Sequence, residues 1–115
     1  MNKEVLDGYI KLHRKTISSR VFHNADLLRV WIWCLLRANH KETWVPVSTG
    51  RGRTEVHLVP GQFIFGRKTA ARELQMNLSS IRNRIEKLKN MENLDIQPDT
   101  HFSIVTIRNW DKYQI

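Results

Sequence analysis

Serine, arginine and asparagine side chains alternate with apolar residues between residues 79 and 90, at a spacing typical of a helix. Apolar residues at i, i+4 and i+7 predict one buried face, formed by Ile81, Ile85 and Leu88. A rotation of 100° per residue places the polar side chains on the other faces. Ser79, Asn83, Glu86 and Asn90 lie opposite the buried face, Ser80, Arg82 and Lys87 flank them, and Arg84 lies nearer the core edge. Arginine pairs with guanine and asparagine with adenine through two hydrogen bonds. We therefore predict that this segment contacts duplex DNA through Ser79, Ser80, Arg82, Asn83, Arg84 and Lys87.

A second group of cations precedes this segment. Arg67, Lys68 and Arg72 fall on a predicted helix, where they would bind phosphates and fix position without reading sequence. Residues 66–90 hold seven basic and two acidic side chains, +5 of the chain's +8, whereas residues 91–115 hold two and four, or −2. Solvated helix faces would have the same composition, but such a local surplus favours a docking face for a polyanion.

Other residue types that do chemistry are not arranged for catalysis. The five histidines show neither His-x-x-x-His nor Glu-x-x-His spacing, so we predict no metal site. Gly50-Arg51-Gly52-Arg53 is a basic turn that lacks the Gly-Lys-Ser/Thr of a phosphate-binding loop, and no Gly-x-Ser-x-Gly occurs. We therefore predict that the chain is not an enzyme and binds no cofactor.

Length and composition exclude further classes. The 115 residues, 41% of them hydrophobic, suit one globular domain over residues 1–115. A single cysteine, Cys34, cannot form an internal disulfide or a multi-cysteine zinc site. The longest apolar run, Val30 to Leu36, is far shorter than the ~20 residues that span a bilayer, and Met1 to Val5 lacks the apolar stretch of a signal peptide. We predict a cytoplasmic protein with no membrane partner.

The elements that must position the cations form a helix, a short turn, a second helix and a hairpin. We expect helices over 67–75 and from Ser79 or Ser80, as N-cap, to about Asn90, separated by a turn at 76–78. Residues 94–97 and 101–107 flank Pro98-Asp99-Thr100 and predict a hairpin. This is the layout of a winged helix-turn-helix, with the helix-turn-helix at about 67–90 and the wing at about 94–107. Because the wing tip carries no Lys or Arg, we do not expect it to grip phosphates.

Upstream, the pattern predicts an α+β arrangement with an extra N-terminal segment and a hairpin before the helix-turn-helix. Residues 26–39 are apolar almost all round, which indicates a central helix capped by Asn24 and ended by a left-handed Asn39. Residues 43–47 suggest an edge strand because Pro46 cannot donate to a central ladder. Residues 54–58 and 62–65 suggest a hairpin closed by Pro60-Gly61.

Several stretches give the chain a family resemblance. They are Gly8-Tyr9-Ile10-Lys11-Leu12-His13-Arg14-Lys15, Val30-Trp31-Ile32-Trp33 with Ala38-Asn39-His40-Lys41, Pro60-Gly61-Gln62-Phe63-Ile64, and Asn109-Trp110-Asp111-Lys112-Tyr113-Gln114. In this order they resemble the N-terminal domain of phage replisome organisers and related DnaD-like primosome proteins. The resemblance covers nearly the whole chain, and its most specific parts are the Pro-Gly-Gln-Phe and Asn-Trp-Asp-Lys-Tyr segments.

The resemblance implies a winged-helix domain that binds origin DNA or helps to assemble a primosome, with replication proteins such as a helicase loader as partners. Family members usually have a glycine between the recognition helix and the wing, where this chain has Met91-Glu92-Asn93. We expect Asn93 to adopt the same backbone geometry. Such proteins usually continue into a second domain that oligomerises or engages the helicase loader. We expect this chain to correspond to the DNA-reading part alone or to a small stand-alone relative.

Three functions therefore stay open from the sequence. The first is double-stranded DNA binding in phage or mobile-element replication initiation, and the second is a small transcription regulator with the same fold. The third is a protein-interaction or oligomerisation module, in which the lead-in over residues 8–20 pairs with a second copy.

Overall fold

The computed structural model describes residues 8–115 and shows an α+β protein, which confirms the predicted class. Met1 to Val5, considered above for a targeting signal, lie outside the described residues. None of the helices in residues 8–115 is long and apolar enough to cross a membrane. After a 3-10 helix, Arg14–Ser18, the elements are α1 (Ala25–Arg37), β1 (Thr43–Ser48), β2 (Arg53–Leu58), β3 (Gln62–Phe65), α2 (Arg67–Leu74), α3 (Leu78–Asn90), β4 (Leu94–Pro98), β5 (Ser103–Ile107) and α4 (Trp110–Gln114). The strands form an antiparallel pair, β1–β2, and a three-stranded antiparallel sheet ordered β3–β5–β4.

Helix α1 is central, as its apolar sequence predicts. Its N-cap is Asn24, whose Oδ1 accepts a hydrogen bond from the Leu27 backbone N–H at 2.9 Å. Val30, Trp33 and Cys34 are buried. The Trp33 ring meets two aromatic rings of β3 edge-on, so α1 packs directly against the three-stranded sheet.

The predicted left-handed end at Asn39 is wrong. The helix ends at Arg37, and Ala38 is already extended. Asn39 makes hydrogen bonds to β3 and the turn before it: its side-chain Nδ2 donates to the Gln62 carbonyl at 2.7 Å, and its carbonyl accepts from the Gly61 N–H at 2.8 Å. These bonds tie the end of α1 to the start of β3.

The predicted pairing of residues 54–58 with 62–65 is also wrong. β2 pairs with β1, from Thr43↔Leu58 to Ser48↔Arg53, whereas β3 pairs with β5. The turn at Pro60-Gly61 does form, with Gly61 at φ +89°. However, the Gly61 carbonyl accepts a hydrogen bond from the Ile107 N–H at 2.8 Å, so the turn directs the chain into the other sheet.

Helices α2 and α3 are separated by three residues. α2 is followed by Gln75 in the left-handed conformation, at φ +54°. The N-cap of α3 is Asn77, whose Oδ1 accepts from the Ser80 N–H at 2.8 Å. The prediction of Ser79 or Ser80 as the cap is therefore wrong, because the helix begins one residue before Ser79 and both serines lie in its first turn.

The predicted hairpin over 94–107 is confirmed, with β4 and β5 paired from Leu94↔Ile107 to Pro98↔Ser103. The residue that adopts left-handed geometry before it is Glu92, at φ +64°, and not Asn93 as expected. Asn93 instead uses its backbone, since its carbonyl accepts a hydrogen bond from the Arg108 N–H at 3.0 Å. The Asn93 N–H donates to the Leu88 carbonyl at 3.0 Å, which joins the base of the hairpin to the end of α3.

A carboxylate clamps α1 to α2. Glu73 of α2 accepts hydrogen bonds from the Trp33 indole Nε1 at 2.9 Å and from the Arg37 Nε at 2.7 Å, and it also pairs with Arg37 Nη2. Only 15% of the Glu73 side chain is exposed, against 23% for Arg37. The orientation of α2, and hence of the turn that follows it, is fixed on the central helix by this cluster.

The lead-in docks on the last helix. Gln114 of α4 donates to the Lys11 carbonyl and accepts from the Lys11 N–H, both at 2.8 Å. His13 Nε2 lies 2.7 Å from the Tyr113 carbonyl oxygen, and Lys15 Nζ donates to the Tyr113 hydroxyl at 2.7 Å. Four side-chain hydrogen bonds therefore hold this segment against the opposite end of the chain.

Candidate nucleic-acid interface

The buried face predicted for α3 is confirmed. Ile81 and Leu88 are fully buried and Ile85 is 6% exposed. Because these residues anchor the helix, the side chains between them point to solvent, and the structure leaves Ser79, Arg82, Asn83, Glu86 and Lys87 exposed, with Ser80 half-buried. The turns of α3 nearest its N-terminus thus present an arginine, an asparagine and a serine on the outer surface.

Arg84 is separated from that surface. It is half-buried, its Nη2 lies 3.4 Å from Asp26 Oδ2 at the start of α1, and its Nη1 lies 3.4 Å from the Ser80 carbonyl. Its predicted place near the core edge is confirmed. The guanidinium faces α1, so Arg84 helps to hold the N-terminal half of α3 on the central helix.

Cations on α2 continue the exposed surface. Ala70 and Leu74 are buried, which turns Arg67, Lys68 and Arg72 outwards, and all three are exposed. Arg67, the first residue of α2, borders a cleft with α3, whereas Lys68 and Arg72 do not line it. The predicted phosphate-binding residues thus lie on an exposed face, and Arg67 lines the same cleft as residues of α3.

That cleft, of about 460 Å³, lies between α3 and the β4–β5 hairpin. Its floor is apolar and includes Phe65, Ile85 and Val105. Its polar lining consists of Arg67, Arg82, Asn83 and Glu86 on the helical side, and Asp99, Thr100, His101 and Ser103 on the hairpin side. The structure therefore brings three of the predicted site residues together against the tip of the hairpin.

Sequence reasoning missed one neighbour of this cleft. The turn between β1 and β2, residues 48–53 and hereafter the arm tip, is closed by a hydrogen bond from the Thr49 N–H to the Gly52 carbonyl at 2.8 Å. A Cβ atom added at Gly50 would lie 3.6 Å from His101 Cε1. The arm tip thus touches the hairpin tip. The Gly-Arg-Gly-Arg run in the sequence indicated a basic turn. Because the predicted pairing of residues 54–58 with 62–65 was wrong, the sequence did not indicate that this turn lies near the cleft.

Within residues 8–115, no three His, Cys, Asp or Glu side chains gather closely enough to hold a metal ion. Comparisons of the chain with protein-family models, curated proteins and solved structures found no match. The fold and the surface around the cleft are therefore the basis for a functional assignment.

Proposed function

We propose that this chain binds double-stranded DNA as a winged helix-turn-helix, with α3 as the recognition helix and the β4–β5 hairpin as the wing. The observation that carries the proposal is the exposed Arg82 and Asn83 on a helix held by three buried residues, beside a cleft that faces the hairpin. A helix of this kind fits the major groove, about 12 Å wide, where arginine pairs with guanine and asparagine with adenine.

The remaining cations divide by role. Arg67, Lys68, Arg72 and Lys87 are exposed and suit phosphates on either side of the groove. Ser79 and Ser80, in the first turn of α3, suit short contacts to a base edge or a phosphate. We assign Arg84 a positioning role, because its guanidinium faces Asp26.

Salt dependence gives the first test. Each neutralised phosphate contributes about −0.9 to the slope of log K against log salt concentration, so four phosphate contacts predict a slope of about −3.6. We would select preferred sites from a randomised duplex pool and measure binding by fluorescence anisotropy at several salt concentrations. Absence of binding, or a flat salt response, would overturn the proposal.

Substitutions then separate base contacts from phosphate contacts. Arg82→Ala or Asn83→Ala should weaken binding to the selected site by ~1–3 kcal/mol and relax preference at one base pair, whereas Lys68→Ala should weaken all sequences alike and reduce the slope by about 1. Lys41→Ala/Lys112→Ala is the control, because it removes two cations far from the cleft. The residues next to these lysines, His40 and Trp110, pack together at a ring distance of 5.0 Å, at the end of the sheet opposite the hairpin tip. Unchanged preference in both the Arg82 and Asn83 variants would refute this docking mode.

For the biological role we propose replication initiation in a phage or mobile element, which rests on the resemblance to replisome organisers described above. A transcription regulator would need the same DNA contacts. Genome-wide binding in the source genome distinguishes them: clustered sites at one origin support replication, and dispersed sites upstream of genes would contradict it.

Self-association is a second candidate function, favoured by exposed apolar side chains in the lead-in. Tyr9 is 80% exposed, Leu12 56% and Ile17 63%. Isolated exposed apolar residues are ordinary, but three within nine positions suit a contact with a second copy. Sedimentation over a range of concentrations tests this: a dimer that Ile17→Glu dissociates supports it, and a monomer at all concentrations contradicts it.

A further inference from the structure

The arm tip is a concentrated source of positive charge. Arg51 and Arg53 are both exposed, and no acidic residue occurs between Glu42 and Glu55. Among the ion pairs formed within residues 8–115, none involves either arginine. The two guanidinium groups are thus available to an anionic partner.

The fold places Arg51 and Arg53 near the tip of the wing. β1 and β2 form a separate two-stranded sheet, and Gly50 at its tip lies beside His101 of the hairpin tip, since a Cβ atom added at Gly50 would be 3.6 Å from His101 Cε1. His101 lines the same cleft as Arg82 and Asn83. The arm tip, the hairpin tip and the exposed face of α3 are therefore successive neighbours on one surface.

The hairpin tip has no cation of its own, and the arm tip lies beside it. The hairpin tip carries Asp99, Thr100 and His101 but no lysine or arginine, so on its own it has no fixed cation for a phosphate. The arm tip adds two. Arginine presents a planar fork of donors that matches phosphate oxygens, and the flanking glycines Gly50 and Gly52 leave room for a close approach of the backbone.

We propose that the arm tip is a second DNA contact, in which Arg51 and Arg53 bind phosphates of the strand that passes the wing when α3 occupies the major groove. This proposal rests on the proposed function, because it assumes that duplex DNA lies along α3. The contact is to the backbone, so it adds affinity and salt dependence without adding sequence preference.

The test compares the full chain with Arg51→Ala/Arg53→Ala, using the selected duplex extended by ten base pairs on each side. Two lost phosphate contacts should make the salt slope shallower by about 1.8 and leave the preferred sequence unchanged. Hydroxyl-radical footprinting should show lost protection of the backbone on the wing side alone. Arg51→Lys/Arg53→Lys, which keeps the charge, should retain most of the slope.

Lys41→Ala/Lys112→Ala is the matched control, since it removes the same net charge from the other end of the sheet. The arm proposal is overturned if the control lowers the slope as much as Arg51→Ala/Arg53→Ala does, or if the arm variant binds and footprints like the unmodified chain. In both outcomes the unmodified chain still binds DNA, so the proposed function stands. If the unmodified chain binds no duplex, both proposals fail together.

Discussion

Replacing Glu73 by alanine should destabilise the protein substantially. Its carboxylate accepts hydrogen bonds from Trp33 Nε1 and Arg37 Nε, at 2.9 and 2.7 Å, and pairs with Arg37 Nη2. Hydrogen bonds to charged groups contribute ~1.5–3 kcal/mol each, and breaking a fully buried ion pair costs ~3–5 kcal/mol. Because 23% of the Arg37 side chain is exposed, water can replace some of the hydrogen bonds that its guanidinium loses. We expect the free energy of unfolding to fall by ~2–3 kcal/mol.

Urea unfolding followed by tryptophan fluorescence measures this loss, with Trp33 inside the perturbed cluster. Glu73→Gln keeps a hydrogen-bond acceptor but removes the charge, so its free energy of unfolding should lie between those of the unmodified chain and Glu73→Ala. Glu55→Ala, at an exposed position of β2, is the control and should change stability by less than ~0.5 kcal/mol. If Glu73→Ala is no more destabilising than Glu55→Ala, the clamp does not orient α2 as we infer.

Acidification gives a second measure of the same cluster. Burial opposes ionisation of Glu73, but the hydrogen bonds from Arg37 and Trp33 outweigh it and hold the pKa below its usual value of 4.5. A carboxyl group with a lowered folded-state pKa contributes stability that is fully present above the unfolded pKa and is lost as the pH falls through the folded pKa. The stability difference between the unmodified chain and Glu73→Gln should therefore shrink below about pH 4.5, and a pH-independent difference would refute this assignment.

Three further predictions concern the packing of Gly61, the cap of α3 and the burial of Cys34. Gly61→Ala should cost ~2 kcal/mol or more, since Gly61 has φ +89° and a Cβ would lie 2.8 Å from Trp110 Cγ; an unchanged Tm would contradict this. Asn77→Ala should cost ~1 kcal/mol by removing the cap of α3, while Ser79→Ala should stay within ~0.5 kcal/mol, and equal losses in urea unfolding would count against the cap. Burial raises the pKa of the Cys34 thiol, so it should react with a disulfide reagent only after unfolding; rapid labelling of the folded chain would contradict this.

Features of the site that depend on local periodicity could be predicted from sequence. The spacing of Ile81, Ile85 and Leu88 was sufficient to identify the exposed face of α3, because a helix repeats every 3.6 residues whatever surrounds it. The β4–β5 hairpin was also predictable, since its strands flank a Pro-Asp turn. The N-cap was displaced by two or three residues because Asn77, Ser79 and Ser80 are all good caps and only the fold selects one.

Features that depend on distant partners could not be predicted. Thr54 to Leu58 alternates as a half-buried strand does, but alternation does not specify which strand it pairs with. The pairing of β3 with β5 rests on hydrogen bonds from Asn39 and Ile107 around the Pro60-Gly61 turn, and these form only when α1 and β5 are in place. The arm tip lies beside His101 only when β1–β2 and β3–β5 have paired in this way. The position of Arg51 and Arg53 could therefore not be predicted from the sequence.

The docking of the lead-in on α4 has a topological consequence. Lys11 and Gln114 are 103 positions apart along the chain, yet exchange two hydrogen bonds of 2.8 Å. The two ends of the described segment thus lie side by side, and the polypeptide traces a nearly closed ring. A short linker could join these ends covalently, and the chain could then be reopened in an exposed turn, giving a circular permutant with the same core and the same exposed face of α3.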